Sequence, residues 1–304
     1  MSLPIGELGV DAGTGTHDAP GPRGVSGWQL PGGILDLRAP VVMGVINLTP
    51  DSFSDGGQLA TTSEALDRGR LLMEQGAGIL DVGGESTRPG AEPVSVEEEL
   101  GRVLPFLQQA SEAGLGPLSI DTRNAWVAEV ALRNGAQIVN DVSGLNHDSR
   151  MARVVAEAGA GLVLSHMRGT PATMKGLAKY GDVTGEVVEE LRSSLALALE
   201  AGIEKGRMVV DPGIGFAKTA HHSLALIRNL ASLLDLNCPI LVGPSRKSFI
   251  GEVTGAPPPE RLPGTIAACV LAYSQGARVF RVHDVAPIVQ ALRVTRAILQ
   301  ENGS

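Results

Sequence analysis

Cysteine is scarce in this chain: Cys238 and Cys269 are the only two in 304 residues, each among apolar neighbours and neither in a CxxC spacing. That weighs against a disulfide-stapled fold or a thiolate metal site and predicts two buried free thiols, as suits a reducing compartment. An excess of positive charge is also missing. Lys and Arg number 25 against 33 Asp and Glu, a net charge of −8, which argues against a nucleic-acid or anionic-membrane surface. No apolar run reaches the length of about 20 residues that a membrane helix requires. Residues 1–27 have no basic start followed by an apolar stretch, and so do not read as a signal peptide or anchor. These absences together predict a soluble, cytoplasmic protein. Aromatic residues make up only 3%, so a phenylalanine in a polar, glycine-flanked loop calls for a reason other than core packing.

What is present is a full complement of core-forming residues, 43% hydrophobic with 19% charged, enough for an enzyme-sized globular protein. Residues 1–27 are rich in Gly, Pro, Asp and Thr and read as a flexible tail; residues 28–304 read as one domain. Trp28 to Leu37, with its Pro31-Gly32-Gly33 turn, predicts a small hairpin closing one end of the core. Short apolar runs then alternate with segments of helical period. The strand candidates are Val41 to Ile46, Ile79 to Val82, Leu118 to Ile120, Gln137 to Val139, Gly161 to Ser165, Met208 to Val210, Pro239 to Val242 and Arg278 to Val282. Thr61 with Glu64, and Ser95 with Glu98, have capping-box spacing at helix starts. Asp182 to Ala201 carries Val183, Val187, Leu191 and Leu195 at four-residue steps, one apolar stripe to lay on a sheet. Eight strand and helix repeats predict a closed (β/α)8 barrel, the TIM barrel of the α/β class. An open doubly wound sheet would show a glycine-rich phosphate turn after its first strand. Here Asn47-Leu48-Thr49-Pro50 follows instead.

Nearly every apolar run ends in a polar side chain: Asn47, Asp81 within its strand end, Asp121, Asn140, His166, Asp211, the Ser245-Arg246-Lys247 group, and Arg281 with His283. In a parallel barrel these ends converge on one face, where active sites are built. Any one of them could instead cap the following helix, but the whole set together points to a site. Asp211, Asn140 and Lys247 offer the alternating acceptors and donors that suit a planar nitrogen heterocycle. Arg88, Arg281 and His283 suit an anion.

Several stretches resemble the dihydropteroate synthase family: MGVINLTPDSFSDGG from Met43, DVGGESTRPG from Asp81, SIDT from Ser119, IVNDVSG from Ile138, HMRGTPATM from His166, DPGIGFAKT from Asp211, GPSRKSFIG from Gly243 and RVHDV from Arg281. They run in family order across residues 41–285. The resemblance implies a (β/α)8 barrel that condenses 6-hydroxymethyl-7,8-dihydropterin diphosphate with 4-aminobenzoate in folate synthesis, with Mg2+ as cofactor and a homodimer as the assembly. It implies a pterin site at Asp121, Asn140, Met167, Asp211 and Lys247, with Asp121, Lys247, Asp211 and Asn140 as the catalytic set. It further implies a diphosphate site at Asn47, Thr87, Arg88, Arg281 and His283, with Asn47 also the metal ligand. The 4-aminobenzoate pocket is implied at Phe53, Pro89, Phe216, Lys247 and Ser248, near the start of a helix that favours a carboxylate. The glycine-rich loops Leu48 to Leu59 and Glu85 to Glu92 are expected to close after diphosphate and metal bind. Expulsion of diphosphate is expected to precede attack, a dissociative path in which Asp121 stabilises the pterin cation. Two rival functions stand beside this one. A methyltransferase from methylated folate to a corrinoid protein would have no use for SRKS or the anion site; a non-catalytic pterin-binding paralogue should lack some strand-end groups.

Overall fold

The computed structural model describes residues 26–49, 62–87 and 90–300. The chain enters through a two-stranded antiparallel hairpin, β1 (Gly27–Leu30) and β2 (Gly33–Asp36), paired in register from Gly27 with Asp36 to Leu30 with Gly33. Then the repeating unit begins: β3 (Val41–Asn47), α1 (Thr62–Glu74), β4 (Ile79–Gly83), α2 (Val96–Glu112), β5 (Leu118–Asp121), α3 (Ala125–Arg133), β6 (Ala136–Asp141), α4 (Met151–Ala158), β7 (Gly161–Ser165) and α5 (Val183–Glu200). It continues with β8 (Met208–Asp211), α6 (Ala220–Arg228), β9 (Ile240–Val242), α7 (Ser248–Thr254), α8 (Leu262–Ser274), β10 (Ala277–Val282) and α9 (Val285–Gln300). Strands β3 to β10 close into a parallel barrel in the order β10-β3-β4-β5-β6-β7-β8-β9.

The expected hairpin, all eight barrel strands and the α5 helix are therefore present. Several strands run slightly past their predicted ends. Asn47, Asp121, Asn140 and Asp211 are ladder-paired residues at or next to the strand ends rather than the first loop residues. The reason is that a parallel ladder bonds through main chain whatever the side chain, so polarity does not stop it. Ser95 caps α2 by accepting a hydrogen bond from the Glu98 amide at 3.1 Å, whereas Thr61 lies outside the described residues. Asp182 caps α5, and Val183, Val187, Leu191 and Leu195 are buried as the stripe requires.

Alternation along each strand divides the core in two. Outward-facing residues such as Val42, Ile46, Leu80, Val82, Ile120 and Leu164 pack under the helices. Inward-facing Met43, Ile79, Ile138, Val163, Val209, Leu241 and Val279 fill the lower barrel, and Trp28, Leu30 and Leu37 seal it from below. Trp28 is wholly buried, and its Nε1 donates to the Arg207 carbonyl at 2.8 Å, so the hairpin is pinned to the chain entering β8. With the floor apolar and plugged, polar side chains are left to the opposite end. Cys238 and Cys269 are buried free thiols, as expected.

Candidate active site

Strand register sets the depth of each polar group. Asn47 pairs with Gly83, Gly83 with Asp121, and Asp121 with Asn140, one continuous level at the C-terminal rim. Asp81 pairs with Val45 and Ser119, two residues deeper. On the far side, Asp211 pairs with Ser165.

The Arg281 guanidinium, from β10, reaches across the barrel and divides itself between two carboxylates. Its Nε donates to Asp81 Oδ2 at 2.6 Å and its Nη2 to Asp121 Oδ2 at 2.6 Å. Asn140 Nδ2 donates to the same Asp81 oxygen at 3.2 Å. The second carboxylate oxygens of Asp81 and Asp121 and the amide oxygen of Asn140 are buried without a hydrogen-bond partner among the described residues. Buried acceptors left unpaired are costly, and Asp121 Oδ1 with Asn140 Oδ1, on neighbouring strands at one level, offer paired acceptors to the N–H groups of a ligand. Burial pushes the Asp121 carboxyl up to about 7, with Arg281 pulling against it and Asp81 reinforcing it.

Asp211 meets the helix-capping alternative halfway. Its Oδ1 accepts from the Gly213 amide at 2.8 Å, shaping the loop, while its Oδ2 takes the Ser165 hydroxyl at 3.0 Å. Burial raises its pKa too. That loop needs glycine at two points: a Cβ on Gly213, whose φ is +66°, would meet the His166 carbonyl at 2.0 Å, and one on Gly215 would meet Lys247 Cδ at 3.1 Å. Lys247 lies in that cleared path, with Nζ 4.0 Å from the centroid of the Phe216 ring. Burial, helped by Arg281, pushes the Lys247 ammonium down to about 8. Met167 and Phe216 pack together with Val142, Met174 and Ala217 as an apolar wall beside these groups. Its neighbour Arg246 turns away to a two-point ion pair with Asp284, at 3.0 and 2.6 Å, on a backbone with φ 57°. Of the two cations in the SRKS sequence, only Lys247 serves the mouth. Ser248, the first residue of α7, is exposed beside it.

On the anion side, Asn47 and Thr87 are half-buried at the rim. His283 Nδ1 lies 2.9 Å from the Ser245 hydroxyl, and its carbonyl accepts from Arg68 Nη2 at 3.0 Å. Burial and then Arg281 push the His283 imidazole down to about 4. In the ligand-free protein this favours the neutral imidazole, which can still hydrogen-bond. Arg88, Phe53 and Pro89 lie outside the described residues, as do parts of both loops expected to close.

Reading the strand ends alone misses two features. Asp81 was noted there but given no role, because it sits inside an apolar run; the period of two, which puts it on the inward face with Ile79, is the signal that could have found it. The other is a network behind the apolar wall. Lys218 Nζ donates to His166 Nδ1 at 2.8 Å and to the Phe216 carbonyl at 2.9 Å, and His166 Nε2 lies 2.9 Å from Glu190. With the lysine donating to Nδ1, Nε2 carries the proton and donates to Glu190. Arg168 joins Glu190 and Glu186. His166 and Arg168 stand in the HMRGTPATM stretch and Phe216 and Lys218 in DPGIGFAKT, but no spacing links the two stretches to each other or to Glu190. The fold brings them together, tying the Phe216 loop to the end of β7.

Residues 43–283 match the profile of the family described as pterin binding enzyme. A dihydropteroate synthase from Synechocystis is 45% identical over 258 residues, 84% of this chain and 89% of that protein. A solved Yersinia pestis dihydropteroate synthase in complex with a sulfonamide drug superposes with a TM-score of 0.86 at 37% identity, covering 90% of this chain and all of that one. The Xanthomonas albilineans dihydropteroate synthase with 4-aminobenzoic acid gives 0.83 at 43% identity, over 88% of this chain and 96% of that one.

Proposed function

The chain belongs to the pterin-binding enzyme family, and from that premise we propose that its barrel mouth carries out the dihydropteroate synthase reaction of folate biosynthesis. It joins 6-hydroxymethyl-7,8-dihydropterin diphosphate to 4-aminobenzoate and releases diphosphate. One observation carries this reading: paired buried acceptors, an ammonium and an apolar wall, fit for an aminated heterocycle, share a mouth with Arg281 and His283, fit for an anion. Asp121, Asn140, Asp211, Lys247 and Met167 hold the pterin in this reading. Asn47, Thr87, Arg88, Arg281 and His283 hold the diphosphate; Phe53, Pro89, Phe216, Lys247 and Ser248 receive 4-aminobenzoate.

In the reaction the methylene carbon–oxygen bond breaks and its electron pair leaves with diphosphate. The aniline lone pair then forms the carbon–nitrogen bond, and the nitrogen gives up a proton to water or diphosphate. An aniline needs no strong base to attack, so departure of diphosphate is the harder step, and groups that absorb its charge do most for the rate. Asp121 stabilises the cation left behind: a carboxylate about 4 Å away is worth roughly 4 kcal/mol at an effective dielectric of 20, against about 1 in water. If Asp121→Asn left the rate of diphosphate release in the absence of 4-aminobenzoate unchanged, stabilisation of the cation by Asp121 would be ruled out.

Among the described residues no cluster of three or more His, Cys, Asp or Glu is arranged to hold a metal. The single amide oxygen of Asn47 at the rim fits Mg2+, which needs few protein ligands when phosphate oxygens and water complete its shell. When bound, Mg2+ spreads the negative charge of the leaving diphosphate. The family resemblance supports a homodimer, as do the exposed Leu271 of α8 and Val294 and Ile298 of α9. Among the described residues no helix is long and apolar enough to cross a membrane.

Incubation of the purified protein with both substrates and Mg2+ tests the proposal. Dihydropteroate and diphosphate should appear in equal amounts; a protein that binds the pterin and makes neither would be the non-catalytic paralogue.

A further inference from the structure

We propose that Asp81, outside every substrate-binding set named above, is a positioning residue: it holds Arg281 by Nε while the Nη2 hydrogen bond to Asp121 is exchanged for the anion, and it fixes which way the Asn140 amide faces. This rests on the functional reading above, whose two demands conflict in the free protein. Asp121 is to face the heterocycle and its cation, and Arg281 is to face the diphosphate, yet the two are joined at 2.6 Å. For each to do its work the guanidinium must release Asp121 without leaving the cleft.

The geometry supplies what that exchange needs. Arg281 is a fork, and its two occupied nitrogens face carboxylates at different depths. Asp81 is wholly buried and two residues below Asp121 in the ladder, so a ligand resting on Asp121 and Asn140 does not displace it. It grips Nε, the nitrogen nearest the chain, and leaves Nη2 as the outer one. Rotation about this held end lets Nη2 change partners while one charge-assisted bond stays intact. The same Asp81 oxygen accepts from Asn140 Nδ2. That spends the amide's donor below the ligand level and leaves Oδ1, buried and without a partner among the described residues, as the face offered upward. Without the Asp81 charge, Arg281 has only Asp121 left to pair with, and Asn140 loses the bond that orients it.

Two measurements test this. In the first, Asp81→Asn is expected to lower kcat about 100-fold, the scale of a misplaced catalytic array, with KM for 4-aminobenzoate little changed. In an Asp121→Asn background, where Asp81 is the remaining carboxylate on Arg281 and still orients Asn140, the same substitution should lower kcat further. A normal kcat per folded molecule in Asp81→Asn, with or without a loss of melting temperature, would overturn the proposal.

The second uses the unaltered protein labelled with 15N-arginine, the Arg281 signals being identified by their absence in Arg281→Lys. On titration with inorganic diphosphate and Mg2+, the Nη2 resonances should shift while the Nε–H remains protected from exchange with water. An Nε–H that is unprotected, or that loses protection when the anion binds, would refute the anchoring role even if Asp81→Asn failed to fold. Absence of dihydropteroate formation by the wild-type protein would instead strike the functional reading, leaving the anchor to be judged by this second measurement.

Discussion

At the scale of single residues, burial sets the working pH. In the proposed reaction Asp121 acts as an anion, and its pKa is pushed up to about 7, so activity is expected to climb as pH rises through that value. In the same proposal Lys247 acts as a cation, and it is pushed down to about 8, so activity is expected to fall beyond it. The expected kcat/KM profile for the pterin diphosphate is a narrow bell between those limbs. Asp121→Asn should remove the acidic limb and lower kcat about 1000-fold, the rate equivalent of about 4 kcal/mol; an acidic limb that survived would assign it to another group. The linkage has a matching sign: a carboxyl raised above its unfolded value contributes stability at low pH that is lost as pH climbs through about 7. These residues were legible in the sequence because each stands where an apolar run meets a loop. The ion pairs among Arg281, Asp81 and Asp121 were not, since they join residues 160 and 200 positions apart and depend on strand register.

At the scale of elements, local pattern and tertiary burial make separable contributions. In α5, Asp182→Ala removes the cap on the Thr184 amide and should cost about 1 kcal/mol. Leu191→Ala empties a fully packed site and should cost about 2 to 5 kcal/mol. Urea unfolding of the two variants checks the order; equal losses would mean that α5 is held by its end rather than its stripe. Helices with Ser or Asp at their start were readable for this reason. The capping box of α6 escaped because His222, not Glu or Gln, fills its third position, accepting from the Thr219 amide at 3.3 Å while Thr219 Oγ1 accepts from the His222 amide at 3.2 Å. Strand existence was readable from apolar runs bounded by helical segments. Closure followed from the count of eight repeats; register did not, because interchangeable Val, Ile and Leu side chains leave neighbouring registers nearly alike in composition.

For the whole molecule, the barrel separates stability from chemistry along its axis. Trp28 stoppers the lower end, where Met43, Ile79, Val163 and Val209 meet, and the reacting groups stand at the other. Trp28→Ala should cost about 3 to 5 kcal/mol in thermal or urea unfolding. KM for both substrates should stay within about twofold below the melting transition, as expected of a residue at the face opposite the active site. A comparable loss of substrate affinity in the folded variant would show that the floor and mouth are coupled. The same separation explains how a protein of net charge −8 can receive a diphosphate: the cations that matter are few, local and held at one end.

The bond from the Trp28 indole to the Arg207 carbonyl spans 179 residues, which sets chain order against folding order. A hairpin made early in synthesis cannot reach its seat until the ribosome has released the segment before β8. Contacts this distant in sequence pay their loop-closure entropy before they return any stabilisation. The hairpin, first of the described elements in chain order, is thus among the last to dock, and until it does the half-built barrel keeps an open apolar lower end exposed to aggregation.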